Sequence, residues 1–169
     1  MLSDGIHTVP LKMTLTPWVF ESRHVFYEAV SNPLALSHFY KLIYENKDFN
    51  SIEQFLLYRL CVFHGDQIRA TQVRTSPLFT ARNVIGQIQV HNSWFPVLEK
   101  LILWCIQKKC TEHESFRESV LKHEDKTIIY ADKHPLLGSR LNYKLTVLTK
   151  TKHFPGQNKL GELFEELLK

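Results

Sequence analysis

This chain of 169 residues has few of the devices that hold small extracellular domains together. Its three cysteines, Cys61, Cys105 and Cys110, form no C-x-x-C pair and lie in or beside helical apolar patterns. That spacing excludes a dithiol redox motif and a disulfide scaffold, and it points to buried thiols in a reducing compartment. No run of about 18 apolar residues occurs, which excludes a spanning helix. The start, Met1-Leu2-Ser3-Asp4-Gly5, has no basic stretch ahead of an apolar core, so no secretory leader is read. The expected location is therefore the cytoplasm, with no membrane partner. Histidine is plentiful, but His38, His64, His91, His113, His123, His134 and His153 are scattered without an i, i+4 pair or a Cys/His cluster, so no metal site is expected. Internal repeats, low-complexity tracts and linkers are missing too. Strands and crossover helices do not alternate, which excludes a doubly wound sheet.

What is present suffices for one domain over residues 1–169, which buries roughly two thirds of the surface its unfolded form exposes. The net charge of +4 suits anionic small molecules as well as nucleic acid and selects neither. The pattern along the chain is mainly α with a few short β-strands. Strands are expected at Val9 to Leu15, where Pro10 makes an edge, at His24 to Glu28, at Lys126 to Ala131 and at Tyr143 to Thr149. Ser31-Asn32-Pro33 reads as a turn or helix start, ahead of mixed apolar and aromatic residues from Leu34 to Tyr44. A capping box at Ser51 and Gln54 opens a helix over Ile52 to His64, and Gly65 ends it. Ser76-Pro77 starts a helix that Gly86 stops. Ser93 opens a long core helix through Lys109, Thr111 and Glu114 frame another capping box, and Gly156-Gln157-Asn158 precedes a final amphipathic helix carrying Leu160, Leu163, Phe164, Leu167 and Leu168.

Glu53 stands out. At 100° per residue it lies among Leu56, Leu57, Leu60, Cys61 and Phe63, while Gln54, Tyr58 and Arg59 point elsewhere. An acid on such a stripe is desolvated, and its raised pKa fits it to lend or accept a proton. The structural alternative is an acid that complements the helix N-terminus.

Four blocks in one order resemble the NADAR family, also called YbiA-like, from about Phe26 to the C-terminus, leaving residues 1–25 as a strand-like extension. They are Ser37-His38-Phe39-Tyr40; Ser51-Ile52-Glu53-Gln54-Phe55; Ser76-Pro77 with Ala81-Arg82, Ile85-Gly86 and Trp94; and Gly156-Gln157-Asn158-Lys159-Leu160-Gly161. The resemblance implies a compact, mainly helical N-glycosidase without a cofactor. The family acts on ribose-phosphate compounds, including phosphoribosylated intermediates of riboflavin synthesis and ADP-ribose on guanine. It puts Glu53 at the catalytic glutamate and His38, Phe39, Arg82, Trp94, Asn158 and Lys159 in the substrate site. Expected partners are a nucleotide-type or ADP-ribosylated small molecule or an ADP-ribosylated nucleic acid; the oligomeric state is not legible.

Cleavage of a C1′–N bond builds positive charge on ribose, which a nearby carboxylate stabilises while it activates water. Phe39 and Trp94 suit stacking on a base or sugar, or simply the core. Asn158 suits a phosphate or a helix cap, and Arg82 suits a phosphate or the solvent. The family pattern breaks between Thr127 and Leu141: Tyr130 stands at a usual Glu, Leu137 at a usual Trp, Arg140 near a usual Gly, and Asp132 is out of register. Leu60 replaces a frequent lysine. Asp132 or His134 can stand in for the missing acid in proton transfer. A basic insertion, Asn142 to Phe154, carries Lys144, Lys150 and Lys152. These departures leave three readings: a glycosidase built on Glu53, which leads; a family member that binds a nucleotide-like ligand or a protein without turnover; and, third, direct binding of nucleic acid through the basic surface.

Overall fold

The computed structural model describes residues 6–7, 18–20, 24–27, 34, 36–122, 127–130 and 158–167. The architecture is mainly helical, with a few short strands. Of the expected elements, the strands at Val9 to Leu15 and Tyr143 to Thr149, the Ser31–Pro33 turn, the Asp132 to Arg140 stretch and the basic insertion lie outside the described residues.

Strands β1 (Ile6–His7), β2 (Trp18–Phe20) and β3 (His24–Tyr27) precede a hairpin of β4 (Leu42–Tyr44) and β5 (Lys47–Phe49). Glu45 and Asn46 turn that hairpin, both at positive φ (48° and 63°). Two such residues give the turn a twist that matches the strands it joins. Strand β6 (Val90–His91) pairs antiparallel with β1. Strand β7 (Thr127–Tyr130) runs parallel to β3, completing a three-stranded sheet in the order β2-β3-β7.

Helix α1 (Ile52–Phe63) begins as the sequence predicts: Ser51 is extended, and its Oγ accepts a hydrogen bond from Gln54 N at 3.0 Å. The reciprocal half of the box shifts by one residue, because Gln54 Oε1 accepts from Asn50 N at 2.7 Å. The Gln54 amide also donates to the carbonyls of Val73 and Arg74, both at 3.2 Å, bolting α1 to the helix beside it. Gly65 ends the segment at φ 74°, the backbone freedom expected of it.

That neighbouring helix, α2 (Gln67–Thr75), is absent from the sequence reading. Only Ala70 and Val73 of it are buried, so it has little apolar periodicity. Its signal is the cap: Asp66 Oδ1 accepts from Arg69 N at 3.0 Å, and Oδ2 meets the Arg69 guanidinium at 2.6 Å. Helix α3 (Leu78–Ile85) follows, with Pro77 at the cap position and no side-chain cap; Gly86 stays right-handed, so its stop needs no special φ.

Helix α4 (Trp94–Glu112) outruns its predicted end. Thr111 caps nothing, because its hydroxyl donates to the Gln107 carbonyl from inside the helix. His113, in extended backbone, closes α4 and opens α5 (Glu114–Leu121). Ser93 likewise makes no cap bond; its hydroxyl lies 2.7 Å from His91 Nδ1. The final helix, α6 (Lys159–Leu167), buries Leu160, Leu163 and Phe164 as its period predicts.

Helix α1 packs against α2, α3 and α4, and α4 in turn against α5 and α6. The buried side chains of all six helices among the described residues join one hydrophobic cluster. Phe49 and Phe55 meet edge-on at its centre, with ring centroids 5.3 Å apart. Full burial of side chains of this size contributes about 1.5–3 kcal/mol each. No helix among the described residues is long and apolar enough to cross a membrane.

Candidate functional site

Glu53 lies in the first turn of α1, where its backbone N–H has no partner within the helix. That N–H donates to the Leu36 carbonyl at 2.9 Å, and Tyr40 N donates to the Asn50 carbonyl at 2.9 Å. The two bonds lay the segment containing His38 and Phe39 along the start of α1.

The Glu53 side chain is 0 % exposed. Both of its oxygens accept charge-assisted bonds from Arg82 of α3: Nε to Oε2 and Nη2 to Oε1, each at 2.6 Å. A planar guanidinium fits a carboxylate in this two-pronged way, which a lysine ammonium cannot reproduce. Burial pushes the Glu53 carboxyl above its ordinary pKa, and Arg82 pulls against that shift without cancelling it. Arg82 is only 19 % exposed, so it is no free surface cation reaching for phosphate. Two residues 29 positions apart, both picked out from sequence, thus meet at one point. Neither the helix N-terminus nor bulk water is the principal partner of Glu53.

His38 and Phe39 go elsewhere. They line a cavity of about 210 Å³, together with Tyr40 and with Lys109, His113 and Phe116 from α4 and α5. Ser115 and Ser119 of α5 complete its wall. Lys109 is 4 % exposed, and its ammonium sits 4.3 Å from the centroid of the Phe116 ring and 5.4 Å from that of Tyr40. Attraction to two ring faces replaces part of the lost hydration. Burial nevertheless lowers its pKa to about 8. His38 is held below the ordinary imidazole range, by burial first and then by Lys109. Tyr40 donates its hydroxyl to Glu112, and burial, helped by that bond, raises its pKa.

Neither Glu53 nor Arg82 lines this cavity. Trp94 is buried and packs on Phe63, with centroids 5.4 Å apart, so it belongs to the core. Asn158 takes a positive φ of 49°, and its carbonyl accepts the first helical bond of α6 from Glu162 N. Lys159 is paired with Glu162 at 3.0 Å and Glu99 at 3.5 Å. The seven sequence-predicted residues therefore fall into an ion pair, a cavity wall, a core contact and a helix start.

Sequence reasoning missed Lys109, the buried cation of the cavity. Its signal was available: Leu98, Ile102, Cys105 and Lys109 follow one another at spacings of four, three and four on α4, a core stripe ending in a charge. The three cysteines are free, and burial pushes the Cys61 thiol up to about 12 and the Cys105 thiol higher still, so neither is a nucleophile at neutral pH. Among the described residues no three His, Cys, Asp or Glu side chains cluster so as to hold a metal ion.

Comparison with protein families, with characterised proteins and with solved structures finds no match.

Proposed function

We propose that the protein is an N-glycosidase that hydrolyses the C1′–N bond of a ribose-phosphate or ADP-ribosyl nucleotide-type substrate, with Glu53 as the essential carboxylate. One observation carries the reading: the position that the NADAR resemblance assigns to the catalytic acid is a fully buried carboxylate gripped through both oxygens by Arg82, which the same resemblance assigns to the substrate site.

The chemistry asks three things of that carboxylate. Its charge opposes the positive charge that grows on ribose as the C1′–N bond lengthens. It takes a proton from the water that adds to C1′, and a proton returns to the departing nitrogen, which keeps the bonding electron pair. A pKa raised by burial suits both transfers. The reading requires that a phosphate oxygen of the ligand displace one Glu53 oxygen from Arg82, since the pair is closed without substrate. An ADP-ribosylated nucleic acid is a further substrate of this class, drawn by the net positive charge.

The test is base release, followed chromatographically, from a phosphoribosyl-amine, an ADP-ribosylated guanine and an NAD-derived substrate. Under conditions where its ellipticity matches that of the parent, Glu53→Gln should lose about two orders of magnitude or more in turnover on whichever is cleaved while still binding the ligand. Equal release by the parent and Glu53→Gln would overturn the reading.

A second reading is favoured by the completeness of the ion pair: with no exposure and both oxygens engaged, Glu53 also fits a protein that binds such a nucleotide, or a protein partner, without turnover. On that reading the parent releases no base from any of the three substrates and still binds ADP-ribose.

A further inference from the structure

Arg59 lies six positions after Glu53 on α1, about 240° round the helix, so it points to another side of the molecule. There its guanidinium sits 5.4 Å from the centroid of the Tyr44 ring, and its Nε is buried without a hydrogen-bond partner. Tyr44 is partly exposed and meets Trp104 of α4 edge-on, with centroids 5.9 Å apart. Phe55 backs Trp104 from the core at 5.8 Å. Even so, Trp104 is 39 % exposed, and Ile43, next to Tyr44, is 55 % exposed. Cations and open apolar groups therefore share one surface.

Helix α4 makes the arrangement regular. Lys100, Trp104 and Lys108 follow one another at spacings of four, which sets a cation, a ring and a cation in one row about 6 Å apart along the axis. Lys100 is exposed, and the Lys108 ammonium lies 5.8 Å from the Trp104 ring centroid. Lys47, opposite Tyr44 in the hairpin, adds a further cation. Of the neighbouring acids, Asp48, Glu99 and Glu112 are held by Lys41, Lys159 and Lys108, which leaves Glu45 in the hairpin turn. Lys47, Arg59 and Lys100 form no ion pair among the described residues, so positive charge is in excess.

The mixture of groups selects the partner. An acidic peptide would answer the cations but leave the Tyr44 and Trp104 rings facing water, and a duplex keeps its bases stacked inside. A single strand offers a phosphate and a flat base at every unit, which matches a surface that interleaves charge and ring.

We propose that Tyr44, Arg59, Lys100, Trp104 and Lys108 form a binding surface for single-stranded nucleic acid, with the cations along its phosphates and a base against the Trp104 ring. The inference goes beyond the glycosidase reading and does not need it, since an unmodified strand carries no ADP-ribose and Glu53 takes no part.

Fluorescence anisotropy of a labelled oligothymidylate of about twelve nucleotides, titrated with the full chain at pH 7, tests it; a duplex of the same length and an oligoglutamate are the comparisons. The single strand should bind saturably, and the duplex and oligoglutamate at least about tenfold more weakly. With Arg59, Lys100 and Lys108 on three phosphates, affinity should fall about twentyfold between roughly 50 and 200 mM salt. Arg59→Gln combined with Lys100→Gln should weaken the strand by about tenfold or more and flatten that salt dependence. Binding should quench tryptophan emission, and Trp104→Phe, which keeps a ring against Phe55, should lose the quench. The proposal is overturned by an absence of saturable strand binding, by equal or tighter binding of the duplex or the oligoglutamate, by unchanged affinity in the charge variant, or by a quench that survives Trp104→Phe. Should Arg59→Gln fail to fold, Lys100→Glu, at an exposed position, decides by the same loss of affinity. Glu53→Gln, assayed by base release, fails or succeeds independently.

Discussion

At the scale of single residues, two buried charges set most of what can be tested. Glu53 was legible as a carboxylate on an apolar stripe; its partner was not, because helical spacing says nothing of which residue on another helix comes to meet it. The partner changes the expected energetics. An unpartnered buried acid would be improved by Glu53→Gln, whereas here that change leaves Arg82 facing a neutral amide with a single acceptor. Breaking one side of such a pair costs about 3–5 kcal/mol, while replacing both sides with apolar groups costs much less. Glu53→Leu and Arg82→Met should therefore each destabilise strongly in urea titrations, and the variant carrying both should cost less than the two single changes added together. Additive losses would mean that the two residues do not depend on one another.

Lys109 gives the pH dependence, and the sign follows from its lowered pKa. Between about 8 in the folded protein and 10.5 in the unfolded chain, the unfolded chain holds a proton that the folded protein has released. Stability contributed at this position therefore rises with pH across that window. The full difference corresponds to roughly 3 kcal/mol. Since Lys109→Met has no proton there, its stability relative to the parent should be greatest below pH 8 and shrink towards pH 10.5. Urea midpoints for both proteins at pH 7 and pH 10 measure the change, and a constant difference would contradict the desolvated ammonium.

At the scale of elements, legibility followed apolar periodicity and capping chemistry. Helices α1 and α6 were found because each combines a start signal with a continuous apolar face. Helix α2 was missed because it buries only Ala70 and Val73, and it stays in place through polar bonds that no periodicity records. The Gln54 amide is the chief of these, reaching the carbonyls of Val73 and Arg74 while its oxygen serves Asn50. Gln54→Leu keeps the volume but strands the Asn50 N–H and the Val73 and Arg74 carbonyls. A loss of about 1–3 kcal/mol is expected, with amide exchange accelerated in α2 before α4. Uniform acceleration across both helices would show that Gln54 supports the whole core rather than this one contact. The Thr111 capping box failed for the opposite reason. α4 had enough buried residues near its C-terminal end, Cys105, Ile106 and Lys109 among them, to run past a residue that could have ended it.

At the scale of the whole molecule, the fold class was readable because the helices of the described residues supply one shared cluster, and in all but α2 the pattern is visible residue by residue. The long-range pairings were not readable: β1 with β6 and β3 with β7 join segments about 80 and 100 positions apart, with nothing local to specify them. The C-terminal helix shows how far the parts depend on one another. Phe164 of α6 is 1 % exposed and lies 6.4 Å, ring to ring, from Phe116, which in turn lies under the Lys109 ammonium. Phe164→Ala should therefore act twice. It removes a ring from the shared core at a cost of about 3–5 kcal/mol, and it lets Phe116 relax into the vacated space, away from Lys109. Far-ultraviolet ellipticity and tryptophan fluorescence should lose their signals in one coincident urea transition, in parent and variant alike, because α6 shares its core with α1 and α4. Separate transitions, with tryptophan fluorescence unchanged while helicity falls, would show α6 unfolding alone and would uncouple it from the cavity.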